Sequence, residues 1–423
     1  MTRGTRPQLP PHTPRPAGAP KALEGIKVVD FSIIMAGPFC TQTLGDLGAE
    51  IIKVERPGVG DDIRNIPPFV DHDSGVSTFL ISCNRNKKSF TLDLSKPGAR
   101  EVALDLIADA DIVVENFTSR VMKQYGLDYE TLAKKFPRLI YLSVSGWGRT
   151  GSLAHAGGLD PVVSAECGVA ALNGDPEFPP NVSTVPWVDL TTALNGTIAV
   201  LAALHARERL GKGQHIDMAM YDTGMSDMSY IGARYLGTGE GPERFGRFRP
   251  EAVPSGEYLC RDGRRIYIYT FNDKQFASAM KILGRPEIAD DPDYAKRLAR
   301  YANSEKIIAL FGELVGKLDA DDLSKQLADA GVPNGVMRMP SEAYTSAFAA
   351  ERNMCVSIPH PVTGTTFNVG SPFQKMSLTP AVDPVAAPAL GQHTVELLEE
   401  VGYDAAKIDA LVEQGIVTRE ASR

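Results

Sequence analysis

From Ile26 onward the chain alternates short runs of β-branched and apolar residues with segments of helical periodicity, and few folds accept that order. "IKVVDFS", "IIKVE", "KSFTLDL", "DIVVENF" and "LIYLSVSG" read as strands, the first of them buried. "AGPFCTQTLGDLGAE" and the amphipathic "GAREVALDLIADA" read as the helices between them. Strand–helix–strand repetition of this kind builds a doubly wound, mostly parallel sheet. Ligands in such sheets gather at the carboxyl ends of the strands. Those ends are Ser32 to Pro38, Glu55 to Gly60, Asn116 to Thr118 and Ser145 to Gly148.

The texture changes after Gln214. "HIDMAMYD" reads as one more strand, with a helix following to about Leu236, and then "GTGEGPERFGRFRPEAVPSG" reads as an interdomain loop. "GEYLCRDGRRIYIYTF" has the pattern of a β-hairpin turning at Asp262-Gly263, and helical segments follow from Asp273 to Gly331. A chain of 423 residues is too long for one ordinary core. The expected organisation is a disordered proline-rich tail (1–22), a large α/β domain (23–225), a linker (226–254) and a small α+β domain (255–335). A turn-rich segment from Met337 then leads back to the large domain, ending with a helix in "HTVELLEEVGYD".

Composition narrows function by exclusion. A net charge of −8 argues against a nucleic-acid partner, which needs a basic face, but leaves room for a small anion in a locally positive pocket. Five scattered cysteines without CxxC spacing fit a reducing cytoplasm better than a disulfide framework or a zinc site. The seven histidines show no metal-ligand spacing, so no metal is expected. The longest apolar run, Ile198 to Leu204, is far short of a membrane span, and the first 22 residues carry six prolines rather than a signal-peptide core. A G-x-S-x-G elbow, a P-loop and an H-E-x-x-H helix are all missing from the sequence.

One residue stands out. Asp189 heads the apolar, helix-like run "VPWVDLTTALNGTIAVLAALHARERLGKGQ". It reads as an N-cap accepting from the amide of Thr191 or Thr192, or as a nucleophile. Residue types alone leave both open.

The run "LEGIKVVDFSIIMAGPFCTQTLGDLGAEIIKVERPGVGDDIR" resembles the opening of the class III CoA-transferases, a group that also holds the α-methylacyl-CoA racemases. The likeness continues in order through "NRNKKSFTLDLSKPGARE", "DIVVENF", "YLSVSGWGRTG", "VDLTTALNGTIAVLAALHARERLGKGQHIDMAMYD", "FNDKQF" and "LGQHTVELLEEVGYD", spanning about residues 23 to 405. The resemblance implies that Asp189 becomes acylated, and that CoA, as acyl-CoA, is a substrate and not a permanent cofactor. It implies an interlocked homodimer with small carboxylic acids as the other substrates. It also implies contacts to CoA from Ala36 after the first strand, Arg56 at the diphosphate, Leu92 beside the adenine, and Asn116 and Phe117 of the "ENF" motif. Plain core packing is the competing reading of Leu92 and Phe117.

The chain departs from the family pattern in several places. Ser95 stands where a lysine is usual, with Lys96 next to it; Gln124 replaces an arginine, with Lys123 beside it. Lys96 and Lys123 are the expected substitutes at the phosphates. Ser145 replaces a lysine of formyl-CoA transferase, which argues against that activity. Arg247 and Arg249 in the interdomain loop are either solvated charge or partners of a substrate carboxylate. The racemases carry a histidine before a retained aspartate; here "GGLDPVV" has Leu159 before Asp160, with His155 four residues earlier. Leucine carries no proton, so the balance favours transfer over racemisation. The expectation is therefore a cytoplasmic CoA-transferase with a Rossmann-like, doubly wound sheet plus a smaller α+β domain. It works through Asp189, by analogy with succinyl-CoA as donor. A racemase and a non-catalytic CoA-binding homologue are the alternatives.

Overall fold

The protein is described by a computed structural model covering residues 8–9, 11–70, 75–360, 364 and 366–419. Two compact units divide the chain: residues 1–169, 183–229 and 344–423 form the first, and 170–182 and 230–343 the second.

The first unit is built on a six-stranded sheet of β1 (Lys27–Asp30), β2 (Glu50–Glu55), β3 (Lys88–Thr91), β4 (Ile112–Glu115), β5 (Ile140–Ser145) and β6 (His215–Ala219). Its order is β3-β2-β1-β4-β5-β6 and every pairing is parallel. Both faces are covered, which is why the inner strands read as nearly unbroken apolar runs. On one face Val28, Ile51, Ile112 and Leu142 pack against the helices Ala36–Asp46 and Trp187–Leu210. Gly196 faces Cys40 and Leu142, and a Cβ there would sit in ordinary van der Waals contact with both, at 3.5 and 3.4 Å. On the other face Val29, Ile52 and Val113 pack with Val102 and Ile107 of the helix Ala99–Ala108. Leu397 and Leu398 of Thr394–Glu400, and Ile408 and Leu411 of Ala405–Glu413, complete that core.

The sheet order reverses between β1 and β4. The chain after β1 turns to one face of the sheet and the chain after β4 to the other. The carboxyl ends of the strands at such a switch point are the usual ligand position in a doubly wound sheet.

Several expectations are corrected. The segment from Met337 is not only turns: β10 (Cys355–Pro359) and β11 (Thr366–Gly370) form an antiparallel hairpin. The helix expected to about Leu236 is two helices, Met220–Asp227 and Ser229–Thr238, the second lying within the stretch assigned to the linker. Part of the tail read as disordered is hydrogen-bonded, since the Arg15 amide donates to Asp383 at 2.9 Å and that of Thr13 to Asn353 at 3.1 Å. Residues 1–7 and 10 of that tail lie outside the described residues. The helix Trp187–Leu210 is long and apolar enough by composition to cross a membrane, although the longest uninterrupted run gave no sign of it. Ala193, Val200 and Ala203 are buried in the sheet's own core, which accounts for that composition.

The second unit has an antiparallel sheet of β7 (Gly256–Leu259), β8 (Arg265–Ile268) and β9 (Asn334–Val336) in that order. Ile266 and Ile268 pack with Phe276, Phe311 and Leu323 from three helices. Arg300 is fully buried here, bonded to Asp273 at 2.8 Å and lying 4.4 Å from the Phe276 ring centre.

Candidate active site

The segment Ser32–Met35 leaves β1 and is tied down from three sides. Asn116, just past β4, takes both polar groups of Ile33: its Oδ1 accepts the Ile33 amide at 2.8 Å and its Nδ2 donates to the Ile33 carbonyl at 2.7 Å. Lys53 of β2 donates to the Ser32 carbonyl at 2.9 Å. Asp61 accepts the Ile34 amide at 3.2 and 3.3 Å. Gly37 follows because a Cβ there would fall 2.3 Å from the Ser32 Cβ.

Two cavities meet along this segment. The larger, of 420 Å³, lies at the ends of β1 to β4 and is lined by Phe31, Ile33, Arg56, Leu92, Ser95, Phe117 and Tyr125 among others. Its lining is apolar at Phe31, Leu92, Phe117 and Tyr125, with Arg56 as the one cation among the described lining residues, beside the carboxylates Glu55, Asp61, Asp62 and Asp93. The smaller, of 160 Å³, is lined by Ile33, Ile34, Ala36, Phe117, Ser145, Gly146, Gly158, Leu159, Met220 and Asp189. Ile33 and Phe117 belong to both walls. Gly146 and Gly158 let two chain segments pass closely at the small cavity, since a Cβ on either would sit 2.7 Å from the other's Cα.

Asp189 is the third residue of its helix, whose cap position is occupied by Pro186 with no side-chain cap bond. The N-cap reading is therefore wrong: a carboxylate inside the first turn does not occupy the capping position. Its amide instead donates to Asp160 Oδ2 at 3.0 Å. Asp160 is buried and begins the helix Asp160–Glu166, with Ser164 donating to its other oxygen at 3.3 Å. Val163, Val188 and Met220 form an apolar bed at this spot. Burial, and secondly the charge of Asp160, push the Asp189 carboxyl up to about 7. Among the described residues no ion pair offsets this. A half-buried carboxyl, raised and unpaired at the wall of a cavity, is a candidate reactive group.

The sequence profile of CoA-transferase family III matches residues 23–394. The chain belongs to that family. It is accordingly an enzyme, a class III CoA-transferase, and its substrates are CoA thioesters. The chain is 33% identical to a mouse (Mus musculus) succinyl-CoA:glutarate CoA-transferase over 95% of its length and 92% of the relative. It is 34% identical to an acetyl-CoA:oxalate CoA-transferase of Acetobacter aceti, over 93% and 99% of the two chains. Among solved structures it is similar to a CaiB/BaiF family protein from Brucella suis, with a TM-score of 0.80 and 36% identity, covering 90% of this chain and 99% of that one.

The expected contact residues of this CoA-transferase fall into three groups. Arg56, Leu92 and Phe117 line the large cavity together; Arg56 is exposed and bonded to Asp62 at 2.9 Å, and Leu92 is also part of the core. Ala36 lies in the small cavity beside Asp189 and does not line the large one. Asn116 borders the small cavity, but its amide is already committed to Ile33. Neither Lys96 nor Lys123 is among the residues that line the large cavity. Lys96 is exposed beyond Ser95, and Lys123 projects from the far side of the short helix Val121–Gln124 into a separate cavity with Arg149 and His155. His155 is bonded to Ser119 at 2.6 Å in that separate cavity, away from Asp189. Arg247 pairs with Asp175 at 3.3 Å, and the Arg249 amide bonds to the Ser255 carbonyl. The sequence reading missed Lys53, Asp61 and the pairing of Asp160 with Asp189. A lysine inside the apolar run "IIKVE" was the one available signal.

Proposed function

We propose that this enzyme moves CoA from an acyl-CoA donor to a carboxylic acid acceptor by covalent catalysis at Asp189. The observation that carries the reading is the unpaired Asp189 carboxyl, raised to about 7, at the wall of a small cavity that shares Ile33 and Phe117 with a nucleotide-sized one. A CoA lying in the large cavity with Arg56 at its diphosphate would present its thioester past Phe117 to Asp189. The names of the relatives support succinyl-CoA as donor and a dicarboxylate as acceptor.

The ionised Asp189 attacks the thioester carbonyl and the C–S bond breaks, leaving CoA thiolate and a mixed anhydride on Asp189. The thiolate attacks the aspartyl carbonyl, releasing the donor acid and leaving an aspartyl-CoA thioester. The acceptor carboxylate attacks that thioester, forming a second anhydride and freeing the thiolate again. Attack of the thiolate on the acceptor acyl carbon yields the new acyl-CoA and restores Asp189. No net proton is consumed. The small apolar cavity keeps water from both anhydrides, and burial keeps Asp189 basic enough to attack.

A racemase would need a second proton-carrying group at the small cavity, where Leu159 stands and His155 is absent. An interlocked homodimer remains part of this proposal, supported by the exposed apolar side chains Trp187, Ile198 and Leu210 along one helix. A reducing cytoplasm fits the five unpaired cysteines.

The test is incubation in D2O with succinyl-CoA, a 2-methylacyl-CoA and a panel of carboxylic acids, reading every CoA thioester by mass spectrometry. Wild type should make a new acyl-CoA and Asp189→Ala should make none. Deuterium gained by the 2-methylacyl-CoA without acyl exchange would instead establish racemisation. Neither product, with CoA still bound, would favour a non-catalytic homologue.

A further inference from the structure

Ile34 is held at φ +68°, in the left-handed region that β-branched side chains avoid. A strained residue persists only where its surroundings over-determine it, and such residues collect at functional sites. Here the surroundings can be named. The Ile34 amide is accepted by both oxygens of Asp61, one of which also accepts from Lys53 Nζ at 2.8 Å and the other from the Ile63 amide at 3.2 Å. Asp61 and Lys53 are both fully buried as a pair. Lys53 in turn grips the Ser32 carbonyl, so the ion pair brackets the strained residue on two sides.

The position matters because Asp61 lines the large cavity while Ile34 lines the small one. We propose that Asp61 is a positioning residue for the transfer reaction: by holding Ile34 in its left-handed conformation it fixes the wall between the two cavities, and so sets how a bound thioester meets Asp189. The inference rests on the proposed role of Asp189. Asp61 touches no reacting atom. Its contribution is to the geometry of attack, and misplacement by a fraction of an ångström is costly to a step that depends on near-attack alignment.

An amide cannot replace this carboxylate. Each oxygen faces donors, so in either orientation the Asn NH2 would point at an N–H or at the Lys53 ammonium. Asp61→Asn is therefore an isosteric way to weaken the hold on Ile34, whose amide keeps at most one of its two acceptor oxygens. Glycine, by contrast, holds positive φ without strain and makes the conformation independent of Asp61.

The experiment measures transfer from succinyl-CoA to 13C-labelled glutarate for wild type, Asp61→Asn, Ile34→Gly and the double variant, with Asp189→Ala alongside. Asp61→Asn should lower kcat about tenfold, the factor expected when the cost of a left-handed residue is no longer met. KM for the thioester should change less than about twofold. In the Ile34→Gly background the same Asp61→Asn change should cost less than about twofold in kcat, a coupling that a purely structural ion pair would not produce. If Asp61→Asn alone fails to fold, adding Lys53→Met removes the ammonium left without its carboxylate. Because that change also frees the Ser32 carbonyl, Lys53→Met alone is run beside it, each with and without Ile34→Gly. Equal losses in both backgrounds, or a rise in KM with kcat intact, would overturn the proposal. An active Asp189→Ala would instead sink the role of Asp189, whatever Asp61 does.

Discussion

Asp160→Asn is the sharpest probe of the electrostatics around Asp189. The change removes a negative charge while keeping an oxygen able to accept the Asp189 amide, now bonded at 3.0 Å. Asp189 is raised from its ordinary 3.8 to about 7 by two causes, burial first and Asp160 second. The charge of Asp160 therefore accounts for less than half of the rise, or about 1.5 pH units at most. Coulomb's law is of the same order: neighbouring like charges repel by about 1–4 kcal/mol between bulk water and a protein surface, or about 0.7–3 pH units. On the proposed mechanism Asp189 attacks in its ionised form, so kcat/KM in wild type should rise with pH and level off above about 7. In Asp160→Asn that acid limb should move down by about one pH unit. The assay is the pH profile of kcat/KM from succinyl-CoA to glutarate for both proteins, at fixed ionic strength. An unmoved limb would refute the coupling, and an upward shift would refute the assignment of the charge.

Other consequences follow from the same geometry. Because Asp189 is raised in the folded state, that state keeps a proton which the unfolded chain has released between about pH 4 and 7. Wild type thus loses stability as pH rises through that window, and Asp189→Asn should be more stable by about 1–3 kcal/mol at pH 8, with the gain vanishing near pH 4, as followed by urea unfolding. Arg56→Ala should weaken CoA binding about tenfold by calorimetry, whereas Lys123→Ala, which lines a different cavity, should leave it within about twofold. Burial pushes Glu55 up, but Arg64 at 2.7 Å overcomes it and holds the carboxyl at about 2. The stability this pair contributes is present above the ordinary value near 4.5 and is lost as pH falls towards 2, so Arg64→Met should flatten the acid unfolding of the first unit.

The parallel sheet was legible because each inner strand is buried on both faces and carries an unbroken β-branched run, as in "KVVD" and "IVVE". The hairpin of β10 and β11 was not, because Pro359 and Gly364 within it are ordinary turn signals. Asp189 stood out in the sequence, but residue types alone left cap and nucleophile both open, and only the resemblance tipped the reading towards chemistry. The helix begins earlier than that reading assumed, which turns a capping position into a site inside the first turn. Lys53 reaches back to Ser32, Asp61 to Ile34 and Asp160 forward to Asp189, each more than twenty residues away, and no local pattern encodes such pairings. Likewise Lys123 looked like a substitute for an arginine one residue away, but on a helix one step turns a side chain through about 100° and onto another face.

The central claim is a covalent bond to Asp189, and intact-protein mass spectrometry after mixing with succinyl-CoA tests it most directly. Peptide mapping after hydroxylamine treatment would then locate the modified residue. The account predicts a single acyl or CoA adduct that maps to Asp189, is discharged by an acceptor acid and is absent from Asp189→Asn. Turnover with no adduct at any time, or an adduct on another residue that survives Asp189→Asn, would contradict it.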